Sequence, residues 1–182
     1  MNRVILTPPV LPSATLAELK QWLGITTPRD DSVLSALLAA ALETCEAFTC
    51  RMPLVAPCEE VLPVRAGWQA LSTRPVQAIT GIEGIVADGS RLALPYGAYE
   101  IDLDADGTGR VRLSLSGAAR KVAVRFTAGL ADDWDSLPDG LRHGLIRLAA
   151  HQHRERDGSA AASLPPASVA ALWRPWRRMR LA

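Results

Sequence analysis

Apolar residues in the first third of the chain recur at the three- and four-residue spacing of an amphipathic helix. In the first predicted helix they are Leu16, Leu19, Trp22 and Leu23. Thr15 and Glu18 have the spacing of a capping box at its start, and Gly24 can cap its end. Three prolines within residues 1–14 exclude a helix before it and predict an extended N-terminal arm.

A second, longer apolar stripe predicts the main helix of the chain. Its members are Leu34, Leu37, Leu38, Ala41, Leu42, Cys45 and Phe48. Asp30 or Asp31 is expected to cap the start of this helix, which should end near Arg51, before Pro53. Burial of each large apolar side chain would contribute about 1.5–3 kcal/mol, so we expect the helix to be the spine of a small helical domain.

From Glu59 onward the apolar spacing changes from helical to alternating, which is typical of strands. The expected strands cover residues 61–65, 76–85, 91–94, 99–103, 110–115 and 121–126. Turn sequences such as Ala87-Asp-Gly-Ser90 separate them, as in antiparallel hairpins. A third helix is expected to open with a capping pattern at Ser136 and to run to about Arg156.

These elements predict an α+β fold. A small helical bundle, residues 15–56 and 136–158, is interrupted by an antiparallel β-rich domain at residues 57–135. An extended arm at residues 1–14 and an extended C-terminal docking tail at residues 159–182 complete the expected organisation.

Composition places the chain among ordinary globular proteins, with 48% hydrophobic and 21% charged residues and a net charge of +1. The positive charge is local, because the chain has four arginines and no acidic residue after Pro165. Three cysteines at spacings of five and eight match neither a metal knuckle nor a disulfide framework, so we expect a reducing, cytoplasmic setting during assembly. No uninterrupted apolar run reaches the roughly 18 residues of a membrane span, and no membrane is expected as a partner.

The most suggestive chemical motif is Asp102-Leu-Asp-Ala-Asp-Gly107, which matches the first half of a calcium-binding loop. The position that should carry a bidentate glutamate is Leu113, so a solvated hairpin turn is the favoured interpretation. His143, His151 and His153 lack the four-residue spacing of a helical metal site. We expect no catalytic residue, no metal and no cofactor, and the chain is predicted not to be an enzyme.

Two stretches contain tryptophans without an obvious core position. Trp134 lies in an acidic run, which favours a solvated loop with an exposed indole; an interface anchor is the alternative. In the tail, Ala167–Trp173 could be a short helix that folds back on its own domain, or the arginines could bind phosphate, nucleic acid or membrane. Docking on another protein is favoured, since Trp and Arg often carry binding energy and Pro175 interrupts any continuous helix.

An ordered set of short motifs resembles the head–tail connector proteins of long-tailed bacteriophages and gene transfer agents. The motifs cover residues 16–25, 30–34, 46–51, 74–79, 96–102, 122–130, 137–142, 149–154 and 164–181.

The resemblance implies a structural adaptor in the virion, assembled in the bacterial cytoplasm. It would form a ring, expected to be twelve-fold, between the capsid portal and a tail-side connector or terminator protein, and DNA would pass without sequence-specific binding. The alternative is a nucleic-acid-binding protein that uses the Arg/Trp-rich tail. The resemblance further implies that the C-terminal segment docks on the portal. The portal-docking candidates are Leu172, Trp173, Trp176, Arg177, Arg178, Met179 and Arg180.

Overall fold

A computed structural model describes residues 3–95, 97–114, 119–155 and 165–178. Within these residues the chain forms four helices and eight strands, and all strand pairings between neighbours in its two sheets are antiparallel. The predicted α+β fold class is therefore confirmed. The chain divides into a strand unit, Met1–Pro9 with Val55–Leu130, and a helical unit, Val10–Leu54 with Ala131–Ala182.

The strand unit contains two sheets. Its strands are β1 (Arg3–Ile5), β2 (Ala56–Pro63), β3 (Trp68–Ala70), β4 (Val76–Ile85), β5 (Arg91–Ala93), β6 (Tyr99–Leu103), β7 (Gly109–Leu113) and β8 (Lys121–Ala128). Five of them form a sheet in the order β1-β2-β8-β4-β5, and the other three form a sheet in the order β3-β7-β6. The first residues of the predicted arm are therefore a strand at the edge of the larger sheet.

The core of the strand unit is built from the apolar positions that alternate along its strands. Its buried side chains include Cys58, Leu71, Val76, Ile82, Val111, Leu113, Val122, Val124 and Phe126. Strand β4 contacts both β6 and β7 of the smaller sheet, so the two sheets share this core.

Strand β2 begins five residues earlier than the sequence pattern predicted. The five missed residues include two glutamates, whose burial the pattern did not reveal. Glu59 is 7% exposed and accepts two hydrogen bonds from Arg91, at 2.8 and 2.7 Å. Glu60 is also buried and accepts hydrogen bonds from the backbone N–H groups of Ser72 and Thr73, each at 2.9 Å. Burial of two consecutive carboxylates hides the strand periodicity, and the structure satisfies each carboxylate with its own partners.

The aspartate-rich motif forms the turn of the β6–β7 hairpin, which is the favoured interpretation from the sequence. Asp104 forms an ion pair with Arg110, and Asp106 Oδ1 accepts a hydrogen bond from the Thr108 backbone at 2.9 Å. Gly107 adopts φ 79°, a left-handed conformation that a glycine tolerates without strain. The carboxylates therefore stabilise the turn itself.

The helical unit contains α1 (Ser13–Leu23), α2 (Asp31–Thr49), α3 (Asp139–Arg154) and α4 (Ala167–Trp173), followed by a 3₁₀ turn at Arg174–Trp176. Helix α3 packs against each of the other three helices. The unit's buried side chains include Leu19, Leu34, Leu38, Cys45, Leu141, Leu145, Leu148 and Trp173. The core position predicted for Cys45 is confirmed, and burial raises the pKa of its thiol to about 12.

The predicted capping box of α1 is wrong. The helix begins two residues earlier, at Ser13, and Thr15 lies buried in its first turn. The Thr15 N–H donates to the carbonyl of Pro12, the N-cap residue, at 3.0 Å. The predicted cap at Gly24 is confirmed, since this residue is left-handed and its N–H donates to the carbonyl of Gln21.

The capping pattern predicted at Ser136 is likewise wrong, because this residue lies in a turn before α3. The N–H and the hydroxyl of Ser136 both donate to Asp133 Oδ1, at 2.8 and 2.7 Å, whereas the helix starts at Asp139. The prediction of an exposed Trp134 is wrong, because this side chain is only 2% exposed. Its Nε1 donates to Glu18 of α1 at 3.2 Å, so the indole buries its apolar body and keeps a polar partner.

Helix α2 has 19 residues. Of the helices in the described residues, it is the one that is long and apolar enough by composition to cross a membrane. It contains Asp31, Glu43 and Glu46, so it is not an uninterrupted apolar run. Its fully buried positions recur at helical spacing, and the helix packs against α3. The same composition is typical of the central helix of a bundle.

Candidate docking site at the C-terminus

The C-terminal segment is anchored in the helical unit by a fully buried tryptophan. Trp173 is 0% exposed, and its Nε1 donates to the carbonyl of Leu141 in α3 at 3.3 Å. Gly144 makes room for the ring, because a Cβ at this position would overlap the Trp173 indole. Val169, one turn earlier in α4, is also buried. The close approach of α4 to α3 therefore depends on a residue without a side chain.

The end of α2 forms the second wall of the site. The ring centroids of Phe48 and Trp173 lie 6.0 Å apart at an interplanar angle of 50°. The guanidinium carbon of Arg177 lies 5.2 Å from the centroid of the same Phe48 ring, in cation–π geometry. Phe48 thus contacts both the buried anchor of the tail and an exposed arginine that follows it.

The tail backbone is tied to the last turn of α2. The N–H of Arg178 donates to the carbonyl of Thr49 at 3.1 Å. Carbonyl groups at a helix C-terminus lack partners within the helix and carry partial negative charge, which favours nearby cations. A carbonyl at the end of α2 therefore gains a partner by binding the tail backbone at Arg178.

The structure places the predicted docking residues in different environments. Leu172 and Trp176 are half-buried, Trp173 is fully buried, Arg177 is exposed and Arg178 is half-buried. Met179 and Arg180 lie outside the described residues. Ala167–Trp173 follows the fold-back alternative, and the backbone becomes extended at Arg177, with φ −70° and ψ 127°.

Sequence reasoning did not find the residues that receive the tail, Gly144, Leu141 and Phe48. One signal was available, because Gly140 and Gly144 are four residues apart within a predicted helix. Glycines at this spacing on one helix face permit close approach of a neighbouring segment. The contacts of Phe48 and the Leu141 carbonyl depend on tertiary packing and have no signal in the sequence.

A second feature of α3 is the contact between His143, on one of its faces, and Trp22 of α1. The rings of Trp22 and His143 meet edge to face, with centroids 5.3 Å apart and an interplanar angle of 80°. Trp176 lies one helical turn earlier, where its Nε1 would be 3.7 Å from a Cβ on Gly140. Trp22 remains 45% exposed, so a large apolar ring stays accessible on this face.

His143 and His151 of α3 have different neighbours. His143 contacts Trp22, whereas His151 Nε2 lies 2.9 Å from the carboxylate of Glu155 one turn further along α3. Within the described part of the chain, no group of three or more His, Cys, Asp or Glu side chains is arranged to hold a metal ion.

Comparison with known proteins supports the resemblance. Residues 13–83 match the model of a family described as phage gp6-like head–tail connector protein. No curated protein matched the chain.

Solved structures match the whole chain. A chain in the neck of an empty gene transfer agent particle, computed with C6 symmetry, is 25% identical, with a TM-score of 0.77 and coverage of 100% of this chain and 98% of that one. Chains in the virion of the native particle and in its neck computed with C12 symmetry have the same identity and coverage, each with a TM-score of 0.74. Residues 13–83 thus match the head–tail connector family in sequence, and the whole chain is similar in fold to chains of gene transfer agent necks. The recognition made from the sequence motifs is confirmed.

Proposed function

We propose that this chain is a structural adaptor between the head and the tail of a phage or phage-like particle. It closes the DNA-filled head and presents a surface to which the tail attaches. One observation carries this proposal: the whole chain matches chains from gene transfer agent necks at 25% identity, with a TM-score of up to 0.77. The connector family of residues 13–83 is consistent with the same role.

The proposed partners are a portal protein on the head side, a connector or terminator protein on the tail side, and further copies of the chain. A ring of twelve copies would fit a neck with C12 symmetry, such as the one from the native particle. A ring of identical copies uses heterologous interfaces, so each copy presents two different surfaces to its neighbours. DNA passing through the ring would not be read by sequence.

The portal contact is assigned to the end of the C-terminal segment. Trp173 anchors this segment in the core of the helical unit, and Leu172 and Trp176 lie half-buried beside it. Arg177 is exposed beyond the anchor, and Arg178 is fixed by its backbone bond to Thr49. We assign Arg177, Arg178, Met179 and Arg180 to direct portal contact, and the three preceding candidates to holding the segment in place.

Electron microscopy of the intact particle tests the adaptor role. A reconstruction of the neck is expected to show this chain as a ring between portal and tail. Density for the chain at any other place in the particle would contradict the proposal.

Binding to purified portal rings tests the docking site. We expect Arg177→Ala combined with truncation after Arg178 to weaken portal binding by about tenfold or more, as for loss of an interface hot spot. Arg29→Ala is the matched control, because Arg29 is an exposed arginine of the same unit. The control is expected to bind as the unaltered chain does.

The same variants separate docking from nucleic-acid binding. DNA affinity is measured over a series of salt concentrations, since phosphate contacts give a steep salt dependence. If the altered chain loses DNA affinity and still joins portal rings, the docking assignment fails and the nucleic-acid-binding alternative gains its support.

A further inference from the structure

We propose that strand β6 binds an extended segment of a second protein, which adds to the three-stranded sheet next to β6. The side chains of that segment alternate between apolar and basic residues. The inference rests on the proposed adaptor role for the place of the partner, which is the tail-side protein of the neck. The proposed portal contact lies in the helical unit, whereas β6 belongs to the strand unit.

The hydrogen-bonding edge of β6 is open on one side. Among the described strands, β6 pairs with β7 alone, at the end of the order β3-β7-β6. Just before the first residue of β6, the Ala98 carbonyl accepts a hydrogen bond from the N–H of Ser114 at 2.8 Å. Just after its last residue, the N–H of Asp104 donates to the carbonyl of Thr108 at 2.9 Å. Because bonding alternates along an antiparallel strand, the odd-numbered residues of β6 point their N–H and C=O groups away from β7.

The odd-numbered residues also carry the apolar side chains of β6. They are Tyr99, Ile101 and Leu103. The first two lie opposite Leu113 and Val111, which are buried in the core of the strand unit. Ile101 is nevertheless 50% exposed and Leu103 45% exposed. Within the described residues, one strand edge thus offers both unpaired backbone groups and uncovered apolar side chains, and an added strand would cover both.

The length of β6 distinguishes it from the other described edge strands. Edge strands in soluble proteins are commonly protected by short length or by charged side chains that point inward. Strands β1, β3 and β5, at the other edges of the two sheets, have three residues each. Strand β6 has five residues, and the side chains on its core-facing side are uncharged. It is therefore the edge best suited to pairing with another chain.

The opposite face of β6 carries negative charge. Glu100 forms an exposed ion pair with Arg112. Asp102 is exposed and lies opposite Arg110, but Arg110 pairs with Asp104 instead, so Asp102 has no ion-pair partner within the described residues. In an added strand, the residue opposite Asp102 would belong to a non-hydrogen-bonded pair, in which the two side chains lie closest. A lysine or arginine at that position complements the free carboxylate.

These charges exclude a second β6 as the occupant. Glu100 and Asp102 would then face the same carboxylates of the other copy, and like charges directly opposite are destabilising. The other described edge strands supply no available cation. Arg91 of β5 already forms ion pairs with two glutamates, Arg3 of β1 donates to Thr73, and β3 has no charged residue. The occupant is therefore a strand of a different protein.

Binding of synthetic peptides tests strand addition. The probe is the capped heptapeptide Val-Lys-Val-Lys-Val-Lys-Val, measured by titration calorimetry. When its lysines face the acidic side of β6, the N–H groups of its valines point at the free edge. N-methylation of the valines is expected to weaken binding by at least about tenfold, whereas N-methylation of the lysines should leave binding intact. Equal binding of the three peptides, or no binding of the unmethylated one, would overturn the proposal.

Charge reversal tests the role of Asp102. Asp102→Lys is expected to weaken binding of the lysine peptide by about tenfold and to favour the same peptide with glutamate in place of lysine. Asp132→Lys is the matched control, because Asp132 is an exposed aspartate of the helical unit. Thermal unfolding shows that both variants are folded. An equal loss of affinity in the two variants would mean that only net charge matters, and the assigned site would be wrong.

Photocrosslinking in assembled particles identifies the natural partner. Ile101 is replaced by p-benzoylphenylalanine, and we expect crosslinks to a segment of the tail-side protein in which apolar and basic residues alternate. Crosslinks only to the portal or to other copies of this chain would overturn the strand proposal but not the adaptor role. If a neck reconstruction lacks this chain, the adaptor role itself fails, whatever the peptides bind.

Discussion

The indole Nε1 of Trp173 donates a hydrogen bond to the carbonyl oxygen of Leu141, 3.3 Å away in α3. This bond joins a tryptophan from the C-terminal segment to the first turns of a helix that begins more than thirty residues earlier. It satisfies the only polar group of a fully buried ring. The segment that carries the proposed portal contact is therefore anchored in the core of its own unit.

Replacement of Gly144 by alanine is expected to destabilise the helical unit. The added methyl group would overlap the Trp173 ring, and overpacking of this kind costs about 1–3 kcal/mol. Gly140→Ala is the control in the same helix, because its Cβ would lie at ordinary contact distance, 3.4 Å from the Leu172 carbonyl oxygen. Both changes raise helix propensity. A lower urea midpoint for Gly144→Ala and an unchanged or higher one for Gly140→Ala would therefore isolate the effect of packing. Equal midpoints for the two variants would contradict this account.

Replacement of Trp173 by alanine is expected to reduce the free energy of unfolding by about 3–5 kcal/mol, the usual cost of deleting a buried large aromatic. Trp22→Ala should have a much smaller effect, since Trp22 is close to half exposed. Proteolysis of the native protein provides the second measurement. Loss of the anchor is expected to make Arg177 and Arg178 sites of rapid tryptic cleavage, whereas Trp22→Ala should leave them protected.

The pH dependence of stability is expected to include a contribution from Glu59. Hydrogen bonds from Arg91 hold the pKa of this carboxyl below its ordinary value; Arg125 adds to the effect and burial opposes it. Because the folded state favours the ionised form, the contribution is complete above the unfolded pKa. It is lost as pH falls through the lower folded pKa, in the acid range.

Glu59→Gln should therefore cost about 1–3 kcal/mol at neutral pH, and its stability should fall less steeply with acid. Glu100→Gln is the control, because the ion pair of Glu100 with Arg112 is solvent-exposed and such pairs contribute roughly 0–1 kcal/mol. Urea midpoints measured between neutral and acid pH provide the test. A parallel decline for Glu59→Gln and the unaltered chain would contradict the assignment.

The three cysteines are expected to differ in reactivity in the native protein. Cys45 is buried with its thiol pKa raised to about 12, so it stays protonated at pH 8, and Cys58 is also buried. Cys50, at the end of α2, is half-buried. Brief alkylation followed by mass spectrometry should modify Cys50 first, and all three should react after denaturation. Early modification of Cys45 would indicate that the α2 core is open.

The sequence by itself determined the elements with a strong local pattern. The apolar stripe of α2 and the left-handed cap at Gly24 were predicted correctly, because helical spacing and glycine conformation are properties of neighbouring residues. The ordered motifs also indicated the head–tail connector class, which the family match and the neck structures confirm.

Only the tertiary structure decided which tryptophans and glutamates are buried. Trp134 was expected in solvent because its neighbours are acidic, yet Glu18 from α1 supplies its partner. Glu59 and Glu60 broke the strand pattern, but distant arginine, serine and threonine residues satisfy them. In the tail, Gly144 determines that Trp173 is an anchor, because burial depends on the space that a remote residue leaves. The local sequence indicates whether a residue favours a helix, a strand or a turn. Its burial and its hydrogen-bond partners depend on which elements the fold brings together.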